Sequence, residues 1–178
     1  MTQDSLKDTI LSTGAPALFD SFAAKLESVD RDEPLILTYS LTCEACGSER
    51  FAVSAHPVIV PDPSPYHALT PGDTLQRPPH RARCAECGHI AALFDPRRQG
   101  YDGVLGHGSG YECGDEGEAF LDGPYRLAVS LTYNAEAEEL VEIAEEADVK
   151  PADLFDWIAI AGKPIEDAEP IDWDYECA

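Results

Sequence analysis

Hydrophobic and polar positions change period several times along the chain. Leu18, Phe19, Phe22, Ala23, Leu26 and Val29 recur at helical spacing, with Asp20, Lys25 and Glu27 between them, and Pro16 suits a first helical turn. A shorter helix over Ser5 to Leu11 is expected before it, broken at Gly14. From Leu35 the pattern becomes strand-like. LILTYSLT, Leu35 to Thr42, is rich in β-branched and aromatic residues. Further strand character is expected from Arg50 to Val60, interrupted at Pro57, then from Arg81 to Cys84 and from His89 to Phe94. The prolines of 61–79 remove backbone donors and predict a long surface loop. Gly100 to Gly123 is glycine-rich and acidic and reads as irregular structure. Tyr125 to Tyr133 alternates strictly, with Leu127, Val129 and Leu131 on one face, as in a strand with one solvated side.

After Asn134, a good helix cap, Leu140, Val141, Ala144 and Ala147 make an apolar helical stripe. A turn at 148–150 leads to Pro151 and a final helix with Leu154, Phe155, Ile158 and Ala159 buried. The tail from Glu166 is acidic and shows no clear period. These elements predict an α+β protein: a small antiparallel or mixed sheet with helices at the N- and C-terminal ends. The segments are an N-terminal helical part (1–33), a β domain (34–133) carrying a Pro-rich insertion (61–79) and a Gly-rich loop (100–123), a C-terminal helix pair (134–165) and an acidic tail (166–178).

Length and composition fit this outline. A chain of 178 residues with 44% hydrophobic side chains can bury a core without disulfides. No apolar run approaches bilayer length, and MTQDSLKDTI lacks the basic start and apolar stretch of a secretory signal, so a cytoplasmic protein with no membrane partner is expected. The net charge of -22 is unevenly spread: -4 over 1–42, zero over 43–100 and -18 over 101–178. Such a surface repels phosphates and anionic membranes at long range and favours basic partners.

The candidate chemistry lies in CEACG, Cys43 to Gly47, and CAECG, Cys84 to Gly88. Two residues between thiolates let one tight turn aim both sulfurs at a tetrahedral ion. Glycine after the second cysteine permits a positive φ, so the turn's amides can face the sulfurs. Two such turns close a four-thiolate shell and leave no position open for substrate, which makes the site structural. One Zn2+ per chain is the expected occupant; iron, disulfides and a redox dithiol are the competing readings of the same cysteines.

In these two knuckles and their flanking strands, about residues 35–94, the sequence resembles the zinc-ribbon family. The resemblance implies that each knuckle joins two strands, that zinc ties two hairpins together, and that Cys43, Cys46, Cys84 and Cys87 are the ligands. It departs from the compact pattern in one respect. Thirty-seven residues separate Cys46 from Cys84, against roughly 15–20 in the compact form, and the Pro-rich insertion accounts for the excess.

Three functional classes remain open. The first is a non-enzymatic binding or regulatory module whose acidic C-terminal region engages another, basic protein, with Trp157, Trp173 and Tyr175 as anchors. The second is nucleic-acid binding or transcription, which the zinc-ribbon resemblance implies. Arg77, His80, Arg81, Arg83, Arg97 and Arg98 supply a basic cluster, and Val141 to Ile158 resembles a helix-turn-helix. Its reading helix would carry Asp153 and Asp156 and no cation, which disfavours a groove. The third is an enzyme with a site in the Gly-rich loop, where His107 and Cys113 could pair as base and nucleophile or join a second metal site. No catalytic constellation stands out.

Overall fold

The computed structural model describes residues 3–30, 34–59, 74–77, 80–95, 119–121 and 123–177. Its framework is a curled antiparallel sheet. β2 (Leu35–Cys43) and β8 (Tyr125–Tyr133) form its centre, paired from Leu35 opposite Tyr133 to Ser40 opposite Ala128. β1 (Phe22–Asp30) lies outside β2, and β9 (Trp157–Pro164) and β10 (Ile171–Glu176) extend the sheet beyond β8. At Tyr125, β8 also meets β3 (Phe51–Ile59), which carries β5 (His80–Cys84) and then β6 (Ile90–Phe94). Two short strands, β4 (Thr74–Arg77) and β7 (Ala119–Phe120), pair with β3.

Strict alternation explains the core. Leu35, Leu37, Tyr39 and Leu41 on β2 face the same interior as Tyr125, Leu127, Val129, Leu131 and Tyr133 on β8 and Ile158 and Ile160 on β9. Helix α1 (Gln3–Ser12) buries Leu6 and Ile10 into this face, and helix α2 (Ala137–Ala147) adds Ala137, Leu140 and Ala144. The Tyr133 hydroxyl donates to the Ala152 carbonyl at 2.9 Å, and the Ala17 amide donates to Asp153 Oδ1 at 2.6 Å, which fastens the chain before β1 to the turn before β9.

This architecture corrects the α+β expectation. The protein is mostly β, the sheet is large rather than small, and the two described helices are short. Only α1 is terminal, because β9 and β10 follow α2.

The expected helix over Leu18 to Val29 is a 3-10 turn (Ala17–Phe19) followed by β1. A register shift between Leu26 and Ser28 is the cause of the misreading. Phe22, Ala24 and Leu26 alternate as in any strand, but the bulge inserts one residue before Val29, and the resulting spacing of 22, 26 and 29 imitates a helix.

The expected last helix is also absent. Pro151–Asp153 makes one 3-10 turn, and Ile158 and Ile160 then alternate as β9, so the helix-turn-helix resemblance has no second helix. The acidic tail contains β10, with Ile171 and Tyr175 buried. The capping residue of α2 is Glu136, not Asn134. β3 runs through Pro57 without interruption, and β4 lies within the stretch expected to be all loop. The rest of 61–79 and all of 100–118 lie outside the described residues.

Candidate metal centre

Both knuckles begin where an inward-facing strand ends. β2 delivers Cys43 and β5 delivers Cys84, each buried as the last residue of its strand's inward row. The chain then turns tightly: the Gly47 amide donates to the Cys43 carbonyl at 2.7 Å, and the Gly88 amide to the Cys84 carbonyl at 3.0 Å. The cysteine amides in turn reach across their loops, Cys43 to the Ser48 carbonyl and Cys84 to that of His89, each at 2.8 Å. Gly47 and Gly88 have φ of +73° and +74°, the left-handed values that the sequence pattern predicts.

Strand pairing brings the turns together. Phe51, just past the first knuckle, lies opposite Cys84, at the start of the second. The Ala85 amide donates to the Arg50 carbonyl at 2.8 Å. The Arg50 guanidinium then bridges Glu86 of the second knuckle at 3.3 Å and Glu166 of the β9–β10 connection at 3.1 Å. Nothing in the sequence singled out this arginine, because its two partners are 36 and 116 residues away.

Cys43 Sγ lies 3.6 Å from Cys87 Sγ, and Cys46 Sγ lies 3.5 Å from Cys84 Sγ. All four sulfurs fall within 4.8 Å of one another. A tetrahedral ion with metal–sulfur bonds of about 2.3 Å needs sulfurs about 3.8 Å apart, so the donor set fits a metal ion. Cys46 and Cys87 are exposed, while Cys43 and Cys84 are buried.

Backbone amides face the sulfurs as the sequence pattern requires: Ser48 serves Cys46, Glu86 and Cys87 serve Cys84, and His89 serves Cys87. At Cys84, burial opposes ionisation, but those amides and the sulfurs of Cys46 and Cys87 outweigh it and draw the thiol down to about 6. At Cys46 the Ser48 amide favours the thiolate, yet the surrounding sulfurs and burial push the thiol up to about 12. Thiols in contact resist successive ionisation. A divalent cation removes that resistance, because it offsets the accumulated negative charge and releases the protons.

The structure treats the other candidate residues unevenly. His89 is exposed and contributes its backbone rather than its ring. Cys177 is buried at the end of β10, its thiol pushed up to about 12 by burial, apart from the cluster. His107 and Cys113 lie outside the described residues.

The basic cluster is divided. Arg81 is half-buried, and Arg83 is exposed with its guanidinium 4.3 Å above the Phe120 ring, but His80 is fully buried. Its Nδ1 lies 3.0 Å from the Ser54 carbonyl and its Nε2 lies 2.7 Å from the Tyr175 hydroxyl. A carbonyl only accepts, so Nδ1 carries the proton and Nε2 accepts from Tyr175 in neutral His80. The ring stacks on Trp173 at 4.1 Å, and Tyr175 stacks on Phe94 at 5.3 Å. These contacts join β10 to β5 and β6 and draw the two ends of the curled sheet together. The signal was present in the sequence: counting back by twos from Cys84 puts Ala82 and His80 on the inward face.

Compared with known proteins, the chain matches no family profile, no curated protein and no solved structure. Among the described residues no helix is long and apolar enough to cross a membrane.

Proposed function

We propose that this protein is a non-enzymatic binding or regulatory module in which Cys43, Cys46, Cys84 and Cys87 hold one structural Zn2+ in the manner of a zinc ribbon, and that its partner is another protein. The supporting observation is the cysteine cluster: four sulfurs within 4.8 Å of one another on two glycine-closed turns. Four thiolates complete a tetrahedral shell, so the ion has no position for water or substrate and serves the fold. The second knuckle tips the β5–β6 hairpin, and the first carries the chain from β2 to β3. One ion therefore bonds the central strands to the β3–β5–β6 flank.

The partner surface is assigned to the outer end of α2 and the start of β9. Ile143 on α2, Val149 just past its end and Trp157 at the start of β9 are exposed, and Glu142, Glu145, Glu146 and Asp148 neighbour the first two along the chain. Exposed apolar residues with carboxylates beside them in the chain suit a partner that presents an apolar residue flanked by cations. Nucleic-acid binding gains less support, because burial removes His80 from the basic cluster.

The test is elemental mass spectrometry of protein purified without added metal, with thiol titration alongside. One zinc per chain, with four thiols protected until chelator is added, is the expected result. Absence of metal with all of those thiols reactive or oxidised would overturn the zinc assignment.

A further inference from the structure

Acidic side chains outnumber Lys and Arg by 34 to 12, and the fold leaves many of them without a cationic neighbour. Helix α2 exposes Glu138, Glu139, Glu142, Glu145 and Glu146, and none of the five is held in an ion pair among the described residues. Glu145, Glu146 and the capping Asp148 sit at the negative end of the helix dipole, and the last turn has no basic residue. β10 repeats the arrangement on a strand. Asp172, Asp174 and Glu176 share its exposed face, and their neighbours across β9 are Ala161, Ala159 and Trp157, none of them a cation.

A second, independent feature is the outer face of the sheet. One row across five strands reads Ser28, Thr38, Ser130, Ala159 and Asp174; the next reads Lys25, Ser40, Ala128, Ala161 and Asp172. Apart from Lys25, these positions are small and neutral until the carboxylates of β10 begin, while the flanking rows of the same face add Arg126 opposite Lys163 on one side and Ile36, Thr132 and Trp157 on the other. Large apolar side chains are confined to the ends and edges: Ile90, Ile143, Val149 and Trp157 are the exposed ones among the described residues.

Length scales decide what these features mean. Alternate residues on a strand are about 6.6 Å apart. The screening length is about 8 Å at 0.15 M salt and about 3 Å at 1 M. Carboxylates along β10 and α2 therefore repel one another in dilute buffer and cease to do so only near molar salt. Salts that strengthen apolar burial also make exposed apolar surface an aggregation hazard, and a sheet face of Ala, Ser and Thr avoids it.

We infer that this fold is built to work in molar monovalent salt, with its unpaired carboxylates drawing hydrated alkali cations as counter-ions, and that it loses stability in dilute buffer. The inference stands apart from the zinc assignment. It bears on the partner surface: at that ionic strength the attraction between carboxylates and a cationic partner is screened, and the apolar anchor Ile143 and Val149 carries more of the recognition.

The experiment is thermal unfolding of the metal-loaded full chain between 0.1 and 3 M KCl, read from the fluorescence of Trp157 and Trp173. The expected rise in Tm is about 10 °C or more between 0.1 and 2 M. The combined variant E142Q/E145Q/E146Q/D172N/D174N should melt higher than the parent at 0.1 M and show a flatter salt dependence. A Tm that is flat or falls with KCl would overturn the inference, as would a variant that keeps the parent's slope. Elemental analysis of the same samples reads the zinc assignment separately, so either reading can fail alone.

Discussion

Tyr39 shows how one residue can fit its place in the pattern and still be imperfectly accommodated. It occupies the inward row of β2, where the alternation of LILTYSLT puts it, and its ring packs 5.0 Å from Phe19. Its hydroxyl is buried and has no hydrogen-bond partner among the described residues. Burial accordingly pushes its pKa up. A buried hydroxyl without a partner costs about 1–3 kcal/mol relative to one in water. Tyr39→Phe keeps the ring and removes the orphan oxygen, so it should raise stability by about 1 kcal/mol in denaturant unfolding. Destabilisation by a similar amount would mean that the hydroxyl has a bonding role.

The four clustered cysteines were the residues most legible in the sequence, because Cys-x-x-Cys-Gly encodes a local turn and nothing distant has to be known to read it. His80 and Arg50 were the least legible. Their roles depend on Tyr175, Trp173 and Glu166, which the chain reaches only after four further strands from His80 and seven from Arg50.

At the level of elements, period-two segments were read correctly where the alternation was unbroken, as in β2 and β8. They were misread where a bulge or a proline disturbed it. β1 passed for a helix because one inserted residue reset its phase. β9 passed for one because Leu154 and Phe155 precede Ile158 at helical spacing, although the 3-10 turn ends at Asp153.

Helix α2 was foreseen, and its C-terminus offers a test of how local geometry and charge combine. The Val149 amide donates to the Ala144 carbonyl at 3.0 Å and the Asp148 amide to that of Glu145 at 3.4 Å, the two bonds of a Schellman ending. Asp148 supplies the left-handed residue, with φ 55°, where glycine would have no Cβ penalty. It also adds a negative charge to the negative end of the helix. Asp148→Gly relieves both and should stabilise the fold by about 0.5–1 kcal/mol. The gain should be smaller in molar KCl, where the charge term is screened and only the conformational term remains. A loss of stability at both salt concentrations would show that the Asp148 side chain makes a contact of its own.

The whole molecule joins two differently supported parts through one sheet, and this predicts how it responds to loss of metal. The central part, β1, β2, β8, β9 and β10 with both helices, has long ladders and a continuous interior in which Leu35, Leu37, Val129, Leu131, Ile158 and Ile160 are all fully or almost fully buried. In the β3–β5–β6 flank, β5 and β6 have only five residues each, and the flank contributes small residues, Ala82 and Ala91, beside Val53, Leu93 and Phe94. It is attached to β8 by pairing at Phe51 opposite Tyr125, to β10 by the His80 cluster, and to β2 by the cysteines. A structural zinc site contributes on the order of 10 kcal/mol, but that energy is spent where the site is. Chelation should therefore release β3, β5 and β6 first and leave β2, β8 and β9 folded. The alternative outcome is that the middle of the protein unfolds together when one cysteine of the cluster is lost, as in Cys84→Ser.

Hydrogen exchange with and without chelator distinguishes the two outcomes. Amides of Val53, Ala82 and Leu93 should lose protection by orders of magnitude, while those of Leu37, Val129 and Ile160 change little. Protection lost equally across both groups would show that the sheet is one cooperative unit held by its metal. In that case the buried contacts of His80 and Phe51 would couple the flank to the centre more tightly than strand length implies.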